Sequence, residues 1–201
     1  MPVALIATPE PPAPPLIPRR KRWTRDECAL LESSGILEQQ KLELIDGELL
    51  SKMGQNPPHV ILLSRMMQWL VETLGWGRVY QDAPIDVAPE DNPRNEPVPD
   101  ISVRERPPVG LRTPNPQPGE LNLVVEVSDS SLRFDLTVKA RLYARAGIVE
   151  YWVLDVSGER LIVHREPSQA GYGSVVAYSE SESVAPLASP QNELEIGKLF
   201  A

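Results

Sequence analysis

An α/β fold, with a mixed β-sheet flanked by helices, follows from three observations in a chain of 201 residues. Helix-like and strand-like segments alternate: after an opening helix and hairpin come a helix, strands, a second helix and more strands. One segment, LNLVVEVS at 121–128, is a nearly continuous apolar run, the pattern of a strand covered on both faces. Two other stretches, 59–74 and 132–146, repeat apolar residues at intervals of three and four. With 41% hydrophobic and 24% charged residues, the chain suits one domain with a single core and is short for two.

Each element has a local cause. Residues 1–18 hold seven of the 22 prolines and no helical or strand period, so they are expected to remain a disordered tail ahead of a single domain over 19–201. Arg19, Arg20, Lys21 and Arg22 follow as a basic patch. Four charges are fewer than a dedicated nucleic-acid arm carries, which favours a solvated linker. Thr24 and Glu27 form a capping box for a helix running to about Ser33 and stopping near Gly35. Asp46-Gly47 is the preferred pair for a tight turn, so 42–45 and 48–51 are expected to pair as a hairpin.

From His59 to Leu74 the residues Val60, Leu63, Met67, Leu70 and Leu74 mark an amphipathic helix, ended by Gly75 and Gly77. Strands are expected at about 78–87 and 98–104. Residues 106–119 carry five prolines and read as a loop. After the apolar strand 121–128, a helix over 132–146 closes at Gly147, and strands recur at 150–155, 161–165 and 173–178.

Composition excludes several chemistries. Cys28 is the one cysteine, so there is no internal disulfide and no cysteine cluster for zinc, which suits a reducing, cytoplasmic setting. A hydrolase with a Ser or Cys nucleophile is poorly supported, since Cys28 sits on the opening helix and neither histidine has a partner motif. Two histidines, His59 and His164, are too few for a His-rich metal site. No apolar run approaches the ~18 residues of a membrane span. The net charge of −8 does not advertise a nucleic-acid partner, so any phosphate contact has to be local.

Three polar residues stand where the pattern calls for apolar ones. The two-residue period of 121–128 puts Glu126 on one face with Asn122 and Val124, where a carboxylate needs a cation or several donors. Asp100 follows Pro99 at a strand start that cannot pair fully. At about 100° per residue, Lys139 falls among Leu132, Leu136, Tyr143 and Ala146, opposite Arg133, Thr137, Arg141 and Arg145. It can snorkel to water, or pair with Asp135 one turn earlier. Together the three have a chemical logic: two carboxylates at adjacent strand ends suit Mg²⁺, and the lysine suits an attacking water or the charge on a phosphoryl group.

Pro99-Asp100 followed by Glu126-Val127-Ser128 resembles the PD-(D/E)xK nuclease superfamily, with its restriction-endonuclease-like fold. There the lysine normally sits two residues after the glutamate, where this chain has Ser128. Here it stands on the next helix, a migration seen in some branches. Four stretches (LELIDGE at 42–48, EVSDSS at 126–131, the Asp135–Lys139 spacing and YARAGIVEYW at 143–152) resemble the Uma-two type family of restriction endonucleases.

The resemblance implies a nuclease core using Mg²⁺ or Mn²⁺, with Asp100, Glu126 and the Val127 carbonyl as ligands and Lys139 as the catalytic lysine. Glu43 matches an acidic position of the family, with a water-mediated metal contact as one role and an exposed strand residue as the other. His59 matches a family position too, although a helix-start residue is the plainer account. Tyr151-Trp152 reads as core packing. A DNA substrate and a homodimer are the expected partners. The alternative is a binding module, for nucleic acid or protein, that keeps the nuclease fold without catalysis.

Overall fold

The computed structural model describes residues 20–37, 40–52 and 56–201, so the proline-rich segment 1–18 and Arg19 lie outside the described residues. Helix α1 (Arg25–Ser33) starts on the expected capping box, Thr24 and Glu27 each satisfying the other's backbone N–H. Arg25 fastens it to the body through Asp86 (2.6 Å) and the Asn95 carbonyl (2.6 Å). Strands β1 (Leu42–Ile45) and β2 (Glu48–Ser51) form the expected hairpin. Its turn needs positive φ at both central residues, and Asp46 (48°) and Gly47 (73°) supply it. A Cβ on Gly47 would come within 2.9 Å of Arg22 Cβ, so glycine also admits the incoming chain.

Helix α2 (Pro57–Leu74) begins at an Asn56 N-cap. Its buried stripe is Leu62, Leu63, Met66, Leu70 and Leu74, whereas Val60, expected in the core, is 42% exposed. The helix carries apolar residues around most of its circumference, so periodicity alone leaves the inward face open to rotation. Strand β3 (Val79–Gln81) is much shorter than the expected 78–87. Asp82 turns into the left-handed region (φ 48°), and Pro84 has no N–H to continue a ladder. Strand β4 (Ile101–Arg104) likewise starts beyond Pro99 rather than at 98.

Strand β5 (Leu121–Ser128) runs as expected, and the chain then enters a composite helix: α3 (Leu132–Phe134), a π-helical stretch (Asp135–Lys139) and α4 (Ala140–Ala146). Gly147 closes it in the left-handed conformation (φ 79°). The π-turn is a departure from the regular wheel. The Ala140 N–H reaches back to the Asp135 carbonyl, which also accepts the Tyr151 hydroxyl at 3.2 Å. A side chain bonded into the helix ladder in this way widens the turn.

Strands β6 (Glu150–Asp155), β7 (Arg160–Ser168) and β8 (Gly171–Tyr178) follow, the last two longer than expected because their hairpin ladder continues to Ser168 and Gly171. The chain ends in a small pair, β9 (Ser183–Val184) and β10 (Leu194–Glu195), and a short α5 (Gly197–Phe200).

The six-stranded sheet has the order β3-β4-β5-β6-β7-β8, antiparallel except for the central β5–β6 pair. A parallel pair needs a crossover, and the composite helix provides it. Leu123, Val125 and Val127 pack with Ile101, Trp152 and the α2 stripe on one face. Val124 packs with Tyr143, Tyr151 and Val153 on the other. The mixed sheet with helices on both faces is the expected architecture, and the reading of Tyr151-Trp152 as core holds, both being 0% exposed. Among the described residues no helix is long and apolar enough to cross a membrane.

Candidate active site

Even-numbered residues of β5 face the composite helix, and this alternation delivers Glu126 to that side. The last registered pair of β4 and β5 is Ile101 with Val125, so Asp100 and Glu126 stand opposite each other one step further on. Like charges in that position repel unless cations intervene. Two lysines do so. Lys139 Nζ lies 2.9 Å from Glu126 Oε1 and 3.0 Å from Glu43 Oε2, with Asp135 Oδ1 at 3.9 Å. Lys52 Nζ, just past β2, lies 2.9 Å from Asp100 Oδ1 and 2.7 Å from Asp82 Oδ1.

The remaining contacts fix each group. Val127 N–H donates to Asp100 Oδ2 at 2.8 Å, and His59 Nε2 stands 3.5 Å from the same oxygen. His59 Nδ1 is buried and has no hydrogen-bond partner among the described residues. Tyr143 donates its hydroxyl to Glu126 Oε1 at 3.0 Å, so both donors to that carboxylate fall on one oxygen. Ser128 and Ser131 donate to Asp135 Oδ2 at 2.7 and 2.6 Å. Glu43 accepts the Val98 N–H at 3.3 Å, on a strand β1 that is itself bridged to Glu96 through Leu44.

Most of these side chains line one cavity of about 660 Å³, in which the described residues set six carboxylates against three lysines. That imbalance leaves the cavity negative and favours a cation within it. The two strand carboxylates are held differently. Burial would raise the Asp100 pKa, but the His59 contact, the Lys52 charge and the Val127 N–H outweigh it and keep the carboxyl well below the usual range. Burial pushes Glu126 up to about 8: the Lys139 charge opposes the rise, and neighbouring Asp100, Asp135 and Glu43 add to it. Burial likewise raises Asp135. The Lys139 ammonium stays protonated, since Glu126, Glu43 and Asp135 outweigh the cost of burying it.

The structure brings Asp100, Glu126, Val127, Lys139, Glu43 and His59 to one cavity. Sequence reasoning missed Lys52 and Asp82, which carry no motif and meet only when the hairpin folds onto the sheet edge. The basic residues Arg20, Lys21, Arg22, Arg133, Arg141 and Arg145 do not line the cavity, and several are paired. Lys21 pairs with Glu27, Arg22 with Glu48, and Arg145 with Asp91 at 3.0 Å.

The donor set fits a hard divalent cation. It offers carboxylate oxygens and a backbone carbonyl, with no thiolate. Among the described residues no cage of three or more His, Cys, Asp or Glu is formed. Mg²⁺ takes one or two carboxylates and keeps several waters, so a pair of carboxylates opening on a cavity with room for water suits it better than a closed cage would.

The sequence model of the family described as Uma2, putative restriction endonuclease, matches residues 27–197. No curated protein matches the chain. Among solved structures, that of a putative nuclease from Anabaena variabilis superposes with a TM-score of 0.59 at 18% identity, covering 79% of this chain and 89% of that one. At that identity the likeness is one of fold.

Proposed function

The chain belongs to the Uma2 family of putative restriction endonucleases, and from that premise we propose that it is a divalent-metal-dependent endonuclease hydrolysing DNA phosphodiester bonds in the cavity between β4, β5 and the hairpin. The observation that carries this reading is the opposition of Asp100 and Glu126 across adjacent strands, with a buried lysine bonded to the glutamate. Such an arrangement is costly as pure architecture and useful as a cation site beside a reacting phosphate.

In this reading Asp100, Glu126 and the Val127 carbonyl hold Mg²⁺ or Mn²⁺. The chemistry supplied by the bound ion is polarisation of a phosphodiester oxygen and acidification of an attacking water. Asp100 is presented ionised, its Oδ2 fixed by the Val127 N–H. Lys139 holds its ammonium between Glu43 and Glu126, where it orients the water or offsets charge building on phosphorus. Glu43 aims that ammonium from the hairpin side. A duplex presents two strands, so the reading includes a homodimer with one such cavity per copy.

Cleavage of supercoiled plasmid with Mg²⁺ and with Mn²⁺, wild type beside Lys139→Ala, tests it. Nicking or linearisation by wild type alone supports the nuclease. Absence of cutting by wild type, together with no metal-induced thermal shift sensitive to Glu126→Ala, would overturn it in favour of a non-catalytic binding module.

A further inference from the structure

Lys52 stands where the hairpin meets the sheet. Its backbone N–H bonds the Lys41 carbonyl at 2.9 Å, closing the open end of the hairpin. Its ammonium is shared between Asp82 Oδ1 (2.7 Å) and Asp100 Oδ1 (2.9 Å), and its side chain is 14% exposed. Asp82 is a prepared acceptor. Its N–H is tied to the Asp100 carbonyl at 3.2 Å, and its second oxygen faces Lys41 at 3.8 Å.

Lys139 differs in kind. It serves Glu126, Glu43 and Asp135 at once, and its side chain is 4% exposed. Withdrawing it from Glu126 would leave it buried among its other partners, still facing the reacting centre. Lys52 instead has one partner at the centre, Asp100, and one outside it, Asp82. Asp100 Oδ2 already faces the Val127 N–H and His59 Nε2, which leaves Oδ1, where the ammonium sits, as the oxygen more open to a divalent cation. Two like charges close together on one oxygen repel strongly in a partly buried site.

Resting on the active-site reading above, we infer that Lys52 is a built-in counter-ion of Asp100 that a divalent cation displaces onto Asp82. In the metal-free protein the ammonium offsets one of two opposed carboxylates and keeps the cavity folded. When the cation binds, it takes over that role, and Lys52 withdraws to Asp82 at the cavity rim. Metal affinity is thereby set by a competition between the ammonium and the cation, with Asp82 tilting the balance towards the cation.

Thermal unfolding of the full chain in EDTA and across a MgCl₂ titration tests the competition. Lys52→Met is expected to melt lower than wild type in EDTA and to reach its metal midpoint at about tenfold lower Mg²⁺. At saturating Mg²⁺ its deficit in melting temperature disappears. Asp82→Asn deprives the ammonium of its second partner, and its midpoint is expected to rise about threefold. Asparagine tolerates the left-handed backbone at that position.

The inference is overturned if Lys52→Met binds Mg²⁺ no more tightly than wild type, or melts equally low with and without the ion, as a purely structural clamp would. Should that variant not fold, an Asp82→Asn midpoint at or below wild type overturns it as well. Asp100→Asn separates the two readings: a metal response that survives there removes the active-site assignment itself, whatever Lys52 does.

Discussion

Glu126 and Glu150 are both glutamates on neighbouring central strands, 3% and 0% exposed, yet they are held in opposite ways. Glu150 Oε1 accepts Arg165 twice (2.8 and 2.6 Å) and the Trp152 indole N–H (3.0 Å), and its Oε2 accepts the Leu187 N–H at 2.8 Å. Arg165 also donates to the Ala185 carbonyl. The group bolts the segment after β8 onto β6 and β7, with both carboxylate oxygens engaged. Among the described residues Glu126 has donors on one oxygen, shares its lysine with two other carboxylates, and borders a cavity. Burying a charge thus does not mark function by itself. Incomplete satisfaction beside a cavity does, because only there is bonding capacity left for something outside the chain.

The contrast is broken most directly at Glu150. Glu150→Ala strands Arg165 and the Trp152 and Leu187 N–H groups, and should cost about 3–5 kcal/mol by urea or thermal unfolding. Cleavage per folded molecule should stay at the wild-type level. A variant within about 1 kcal/mol of wild type would mean the clamp is not structural.

Glu126→Gln is the mirror image. Cleavage is expected to fall about 10²- to 10³-fold in the plasmid assay, while stability in EDTA changes by less than about 1 kcal/mol, since glutamine keeps the Oε1 acceptor for Lys139 and Tyr143. Asp100→Ala and Lys139→Ala should also abolish cutting with the fold retained, as circular dichroism would report. If Glu126→Gln cuts like wild type, or unfolds as readily as Glu150→Ala, the distinction between the two glutamates fails. A smaller effect sharpens it: Ser128→Ala removes one donor from Asp135 and should cost about 1 kcal/mol by unfolding.

How much of this was legible beforehand follows from the range of each interaction. The Asp46-Gly47 turn, the Thr24–Glu27 box and the Gly147 stop are decided within a few residues, and each stands as read. Glu126 and Lys139 were visible because a charge interrupts an apolar period. Lys52 and Asp82 interrupt nothing. Their meaning arises when residues 30 apart are joined by folding of the hairpin. The role of Glu150 was hidden for the same reason, since its partners come from β7 and from the chain beyond β8. The truncated β3 and the rotated face of α2 were open because short apolar runs and all-round apolar helices satisfy more than one packing.

The smallest effect separates the two regions by pH rather than by substitution cost. His164 stands next to Arg165 on β7 but faces the composite-helix side of the sheet, with Nδ1 3.2 Å from the Tyr151 carbonyl and its ring 5.2 Å from that of Tyr151. Burial lowers its pKa below the ordinary 6.5, against weaker opposition from the backbone carbonyls of Tyr151 and Ile162. The unfolded chain therefore takes up this proton at a higher pH than the folded one does. The stabilisation is complete above about pH 6.5 and is lost as pH falls towards the folded value, at no more than about 1.4 kcal/mol per unit. Melting temperatures from about pH 8 down to pH 5 should show His164→Phe with a shallower acid slope than wild type. The slope difference should be the same in EDTA and in Mg²⁺, because His164 does not line the cavity. A slope that Mg²⁺ removes would tie His164 to the cavity and merge the two regions into one.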